Sequence, residues 1–409
     1  MSEVPCADGA CPIPAAEAAG GRTALEVALV IFALAVGGFG IGTGEFAIMG
    51  LLPNIAAEFA VTTPQAGYSI SAYAIGVVVG APIIAVLSAR LARRTLLLGL
   101  MAIFALGNVA SAMAPDFGSF VLLRFLTGLP HGAYFGVAAL VAASMVARNR
   151  RTQAVGYVML GLTSATLVGT PVATWVGQEL TWRLLFASVG VIGLITAVLI
   201  WIFLPADKAP AGSSALRELG AFRRKQVWFT LGIGAVGFGG LFCVFSYIAS
   251  TATEVAGMSP AQVPILMALF GAGMISGTTI GSRLADRALM ATIAGSLIWT
   301  GLVGLLLYAT ATSAVMLSLC VFLVGCSVAI GPALQTRLMD VAADAQTLAA
   351  ALNHSAFNIA NALGAWLGGI AISLGYGYAS TGWVGAILAV FGLCVLALSL
   401  ASDRRARHA

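Results

Sequence analysis

Four ionisable side chains stand inside long apolar runs of this 409-residue chain: Glu45, Arg124, His131 and His354. Charge is costly in hydrocarbon, so each marks a candidate site of chemistry rather than a wetted surface. Glu45 lies about seven residues before the end of its run, and Arg124 about seven after the start of its own. The two runs cross in opposite directions. At roughly 1.5 Å per helical residue the two charges share one depth, and they pair if their helices touch. His131 follows Arg124 by seven residues, two turns deeper on one face with Thr127, Gly128 and Phe135. These residue types permit proton carriage. A glutamate held between a dry surrounding, which favours its neutral form, and an arginine, which favours its charge, can switch as water or substrate enters. Histidine titrates near neutrality and offers a second proton station. Two plainer readings stand beside this one: Arg124 bonds backbone carbonyls with Glu45 as mere counter-ion, and His131 is a neutral hydrogen-bonding group.

A second polar stripe places His354, Phe357, Asn358, Asn361, Ala365 and Gly368 on one helical face. Facing lipid it would be costly, so it faces protein or a cavity. The cavity reading makes His354, Phe357, Asn358 and Asn361 candidate substrate contacts. Phe39, Phe46, Met49, Thr127, Tyr134, Phe135, Phe238, Phe242 and Phe245 are candidates for the rest of a small-molecule pocket. No HExxH, GxSxG or CxxC accompanies the histidines, so neither an enzyme nor a metal or cofactor is expected. Cys6 and Cys11 flank CADGACP with no further Cys or His nearby, and carry no metal expectation either.

Positioning these residues requires a membrane. AVILMFWYC make up 60% of the chain, charged residues 9%, and mean hydropathy is +1.01, whereas a soluble domain carries about 25% charged residues. That excludes a soluble enzyme, a disulfide-built secreted domain and a nucleic-acid-binding domain. The net charge of +5 therefore bears on membrane topology. No short basic segment precedes the first apolar run, so residues 1–23 do not read as a cleaved signal. Apolar runs long enough for ~30 Å of hydrocarbon as helix fall near 25–52, 67–89, 95–114, 117–147, 154–178, 183–204, 227–250, 261–282, 290–311, 314–338, 348–374 and 379–401.

Twelve runs predict an all-α polytopic membrane protein of twelve helices. It divides into a head at 1–24, a six-helix bundle at 25–204, a linker at 205–226, a second six-helix bundle at 227–401 and a tail at 402–409. With the head cytoplasmic, eighteen of the twenty Lys and Arg residues fall on the cytoplasmic side, while Arg183 lies outside and Arg124 within a run. Positive charge stays inside, so both termini are expected in the cytoplasm. The halves echo each other at an offset of about 197 residues: Glu58 and Pro64 with Glu254 and Pro260, Leu87 and Arg90 with Leu284 and Arg287, Gly128 with Gly325. Parallel repeats of this kind place a transporter's substrate site between the halves at mid-membrane.

GIGTGEFAIMGLLPNIA, LLRFLTGLPHGAYFG, GLTSATLVGTPVATWVGQELTWR and NHSAFNIANALGAWLGG resemble the twelve-helix drug:proton antiporters of the major facilitator superfamily. The branch of arabinose and chloramphenicol efflux permeases is nearest, and the resemblance covers nearly all of the chain after residue 25. It implies a bacterial inner-membrane transporter, working as a monomer. Glu45 matches the family's membrane-embedded acidic residue, linked to proton and substrate, and Arg124 matches its motif B arginine. Gly161, Gly169, Pro171 and Gly177 resemble motif C, with Thr170 inserted and Ala173 and Thr174 where a glycine pair is usual. Motif A survives as Leu87, Arg90, Arg93 and Arg94, but Ala89 stands in place of its aspartate. The second copy, SRLADR, keeps Asp286 beside Arg287, so the family's cytoplasmic charge latch is expected to rest on the second half.

The leading reading is a proton antiporter exporting a drug, sugar or metabolite by alternating access, its partners being the small molecule, protons and the bilayer. An importer or facilitator of sugar-like solutes is the alternative on the same fold. A non-transporting sensor would carry an extra soluble domain, for which the linker and tails leave no room. Tags after residue 2, at Ala215 and at residue 409 are expected to report cytoplasm. Periplasmic labelling of the linker would overturn this topology.

Overall fold

The computed structural model describes residues 23–61, 63–207, 214–343 and 345–408. Cys6, Cys11, Arg22, Lys208 and nearly all of the expected head lie outside them. Among the described residues, eleven helical stretches are long and apolar enough to cross a bilayer. The first seven are α1 (Ala24–Leu51), α2 (Tyr68–Leu87), α3 (Arg93–Ala112), α4 (Phe117–Ser144), α5 (Arg148–Glu179), α6 (Arg183–Phe203) and α7 (Lys225–Ser246). A single 48-residue stretch follows, Val263–Thr310. It would run about 70 Å as one rod, more than twice the hydrocarbon thickness. It reverses at Ala288, the one residue within it with non-helical angles (φ −152°, ψ 77°), and so makes two passes, α8 (263–287) and α9 (289–310). The polar connector expected between these spans is thus itself helical, because SRLADRAL holds no Gly or Pro to stop a helix. Then come α10 (Ala314–Val341), α11 (Gln346–Tyr376) and α12 (Tyr378–Asp403), giving twelve passes.

One apolar core is built from residues within 30–204 and another from residues within 233–396. Large apolar side chains also cover the outside, such as Leu106 and Leu302, the arrangement expected against lipid. Without water to drive helices together, close contact depends on small residues. A Cβ on Gly76 or Gly80 of α2 would overlap the carbonyl oxygens of Phe125 and Leu129 on α4, and one on Gly128 would overlap that of Tyr73. Gly273, Gly277 and Gly325 meet Phe322, Cys326 and Phe270 between α8 and α10 in the same way. All six glycines, and their six partners, are related by an offset of 197 residues.

In α5 a π-helical turn at Ala165–Gly169 immediately precedes the inserted Thr170 and Pro171. One extra residue in a helix is accommodated as such a bulge. Gly161, Gly169 and Gly177 all face α1, where side chains would strike the Ala35 carbonyl, Thr43 with Phe39, and Leu51 respectively.

The halves are closed against each other at the arginine-rich end. Ala139, Leu140 and Ala143 of α4 and Val155 and Met159 of α5 are buried with Met339 and Ala350 from α10 and α11. Arg151 pairs with Asp340 across the join at 3.2 Å. Asp286 accepts the backbone N–H groups of Thr152 (2.7 Å) and Gln153 (2.9 Å), the second and third residues of the α-helical part Arg151–Ser164. A carboxylate there satisfies amides that lack intrahelical partners and complements the helix dipole.

The equivalent place in the first half is Ala89, but its job is not vacant. Glu218, from the linker helix Ala215–Leu219, accepts the Leu348 N–H at 2.8 Å and also bonds Thr347. Those are the second and third residues of the α-helical part Gln346–Ala371. The clasp therefore does not rest on Asp286 alone. Motif A's other residues take plainer roles: Arg93 and Arg94 give their backbone amides to Asp207 (3.0 and 3.2 Å), while Arg90 and Arg287 are exposed.

Burial pushes the Glu218 carboxyl above its ordinary value of 4.5, the bonds to Leu348 and Thr347 opposing this. The docked linker then binds the proton more tightly than the free one. Docking should be firmest at and below pH 4.5 and loosen as pH climbs through the raised value. Glu218→Gln is expected to keep the linker docked. Glu218→Ala, which strands two amides, should cost about 1–2 kcal/mol and speed hydrogen exchange at the start of α11. Equal exchange in the two variants would count against the clasp.

Candidate functional site

A cavity of about 70 Å³ lies where the halves meet. That is far below the ~300 Å³ of the smaller ligand pockets, so a drug-sized cargo requires it to widen. Glu45 and Phe46 of α1, His131 of α4 and Met159, Leu162, Thr163 and Thr166 of α5 line one side. From the other half come Phe238, Leu241, Phe242 and Phe245 of α7, Phe270, Met274 and Thr278 of α8, Val328 and Gly331 of α10, and His354, Phe357, Asn358 and Asn361 of α11. Phe245 stacks on Phe270 with centroids 4.3 Å apart, and Phe238 leans on Phe357 at 4.7 Å. One wall is therefore aromatic, and the carboxylate stands opposite it. A second cavity of about 170 Å³ adjoins on the side away from the arginines, sharing Phe46, Phe242, Phe245 and Asn361 and adding Met49.

Polar groups cross the join in a line. The Tyr73 hydroxyl lies 3.0 Å from His131 Nδ1, and His131 Nε2 lies 3.3 Å from His354 Nδ1. Glu45 Oε2 is 4.0 Å from His131 Nδ1. Both imidazoles are almost fully buried, and His354 stacks face to face on Phe135 at 4.4 Å. His354 Nε2 and Thr278 Oγ1 are buried with no protein partner, and both residues line the cavity.

Arg124 and Glu45 do not form an ion pair. Arg124 Nη2 donates to the Gly44 carbonyl at 3.2 Å, one residue short of the glutamate. Its guanidinium sits 4.3 Å from the Tyr73 ring centroid and 5.2 Å from that of Phe186, a cation held by ring faces. The helices do bring the two residues to one depth. The glutamate side chain, however, turns into the cavity and the arginine stays in the core of its own bundle. Carbonyl bonding, the plainer reading of Arg124, describes what the arginine does here.

Four other candidates line neither cavity. Tyr134 is fully buried and its hydroxyl donates to the Leu34 carbonyl at 2.7 Å, because Gly37 leaves room for it against α1. Thr127 donates to the Arg124 carbonyl at 2.9 Å. Phe39 fills the space beside Gly169, and Phe135 backs the histidines from behind.

Conversely, the sequence reading passed over Tyr73, Thr278, Phe270 and the α5 threonines Thr163 and Thr166. The repeat offset held a signal for two of them, since Tyr73 corresponds to Phe270 and flanks the glycine contact in its half. The same offset relates Glu45 to Phe242, so the two halves put a carboxylate and a ring in equivalent places.

The family profile described as Major Facilitator Superfamily matches residues 34–364. The chain is 40% identical over 376 residues to the inner membrane transport protein YdhP of Escherichia coli (strain K12), covering 92% of this chain and 97% of that one. It is 33% identical over 376 residues to a chloramphenicol resistance protein of Streptomyces lividans, covering 90% and 95%. Among solved structures, the proton:xylose symporter XylE bound to 6-bromo-6-deoxy-D-glucose matches with a TM-score of 0.75 at 15% identity, over 91% of this chain and 95% of that one. This last likeness is one of fold alone.

The α2–α4 glycine contact places Tyr73 on both Arg124 and His131, so it can be tested as a positioning device. Gly76→Ala is expected to cost ~1–3 kcal/mol by overpacking and to lower the thermal midpoint in detergent. Gly99→Ala, with nothing near its added methyl, should leave the midpoint unchanged or raise it by up to ~1 kcal/mol of stability.

Proposed function

This chain belongs to the Major Facilitator Superfamily, and from that premise we propose that it exports a small molecule from the cytoplasm in exchange for protons. Glu45 carries the reading. It is the one carboxylate lining the cavity among the described residues, and it faces groups from both halves. A proton-driven carrier needs a group that gains and loses a proton while exposed to each side in turn, and this position suits that task. The aromatic wall of α7, α8 and α11 suits a neutral, ring-bearing or amphipathic cargo. Resistance to chloramphenicol, named for the Streptomyces relative, supports efflux of that kind of molecule.

With the arginine-rich end in the cytoplasm, as the positive-inside rule directs, the closed end is the cytoplasmic one. The Asp286, Glu218 and Arg151 contacts then hold the inner gate shut. They must part when the bundles rock to admit cargo from inside.

The test is transport in proteoliposomes under an imposed pH gradient, with chloramphenicol and other neutral amphiphiles as cargo. Glu45→Gln preserves shape while removing the titration. Proton-driven uphill flux should fall by at least about tenfold, or ~1.4 kcal/mol, while downhill exchange persists. Undiminished uphill export by a folded Glu45→Gln protein would sink the proposal. Cargo moving in together with protons would instead favour the sugar-like importer.

A further inference from the structure

We propose that Glu45, His131 and His354 form a proton relay from the first half into the second, and that His354 Nε2 is its cavity-facing end. The inference rests on the proton-coupled reading above and deepens it, by stating how the proton alters the surface that meets the cargo.

A neutral imidazole carries one N–H and one bare nitrogen, so each ring's tautomer follows from what its neighbours require. His131 uses Nδ1 toward Tyr73 and Glu45 and Nε2 toward His354. His354 uses Nδ1 toward His131 and leaves Nε2 buried without a protein partner at the cavity. Two self-consistent arrangements follow. With Glu45 protonated, its O–H or the Tyr73 O–H points at a bare His131 Nδ1. His131 Nε2–H then donates to a bare His354 Nδ1, and His354 presents Nε2–H to the cavity. With Glu45 ionised, His131 carries its proton on Nδ1, toward the carboxylate. Its Nε2 accepts from His354 Nδ1–H, and His354 presents a bare Nε2.

The passage between them balances. The proton on Glu45 moves to His131 Nδ1, the proton on His131 Nε2 moves to His354 Nδ1, and the proton on His354 Nε2 leaves into the cavity. Glu45 gains a negative charge, both rings end neutral, and one proton has been delivered across the join. The 4.0 Å gap from Glu45 to His131 must close to hydrogen-bond length, and a carboxyl rotation of roughly 1 Å suffices. The other titratable or charged groups facing this line are Arg124 on α4 and Tyr73 on α2.

The same switch sets what the cargo must offer. Antiport requires cargo to bind when the proton has left, and His354 Nε2 is then an acceptor in a cavity that Thr278 also lines. The cargo must offer it an N–H or O–H. Reloading the proton sets N–H against that donor and ejects it. A molecule with acceptors only would be favoured by the opposite, symport, coupling.

The chain has three histidines, the third being His408 in the tail. This makes nitrogen NMR of histidine-labelled protein in lipid discs a direct test. As pH rises, His131 and His354 are expected to switch together from Nε2–H to Nδ1–H, with neither ring passing through the cation. Glu45→Gln should hold both in the Nε2–H form at every pH, and His131→Gln should leave His354 unresponsive. Rings that keep one tautomer across the titration in wild type would overturn the relay. So would independent switching, an imidazolium signal, or a His354 that still responds without His131. Because the readout is tautomer rather than flux, a relay that fails while Glu45 still drives export is distinguishable from a failure of proton coupling itself.

Discussion

The backbone contact between α2 and α4 governs the arrangement of this transporter's centre. Lipid does not push helices together as water does, so association depends on how closely two backbones approach. Gly76 and Gly80 remove the side chains that would hold α2 off the carbonyls of α4, and Gly128 of α4 does the same toward the Tyr73 carbonyl of α2. Only at that spacing does the Tyr73 ring cover the Arg124 guanidinium while its hydroxyl reaches His131. The copy in α8 and α10 uses the same device, and there the residue beside the contact is Phe270, which stacks in the aromatic wall. One packing solution, repeated, thus supports a polar face in one half and an apolar face in the other.

That division suits a cavity in which charge has to change. Polar groups buried in hydrocarbon must find partners, and Tyr73 and both histidines find theirs in one line. Arg124 does not line the cavity: one nitrogen donates to a carbonyl and the guanidinium lies against two rings, while Nε and Nη1 are buried without a hydrogen-bond partner. It supplies positive potential to Glu45 without clamping it in a salt bridge. A carboxylate locked to a guanidinium would be harder to discharge than one left beside a neutral imidazole.

At the arginine-rich end, closure is electrostatic as well as apolar. Two helix N-termini, one in each half, receive a carboxylate from across the join or from the linker. The sites are equivalent by helix position but not by source. The repeat lost its first-half aspartate at Ala89, and Glu218 reaches the same amides from the connecting segment. A linker helix that touches both α2 and α11 is thereby part of the gate rather than a passive tether.

Hydropathy, the placement of cations and the 197-residue echo were enough to read twelve membrane helices and the four ionisable groups within them, because length and polarity against lipid are properties of local sequence. The extra residue before Pro171 was legible in α5, but the π-turn at Ala165–Gly169 was not. Beyond that, tertiary structure decided. Helical periodicity places Arg124 and Tyr134 on plausible faces, but whether a long side chain ends in a cavity or on a neighbouring carbonyl depends on space left by glycines distant in the chain. Tyr73 carries no charge and stood out in no local pattern, yet packing seats it between Arg124 and His131. His131 and His354 lie 223 residues apart, and nothing local says that two half-molecules will bring their rings into one hydrogen bond. Ala89 looked like a missing charge, and only the folded linker shows another residue in its place, since a helix N-terminus is indifferent to which part of the chain supplies its carboxylate.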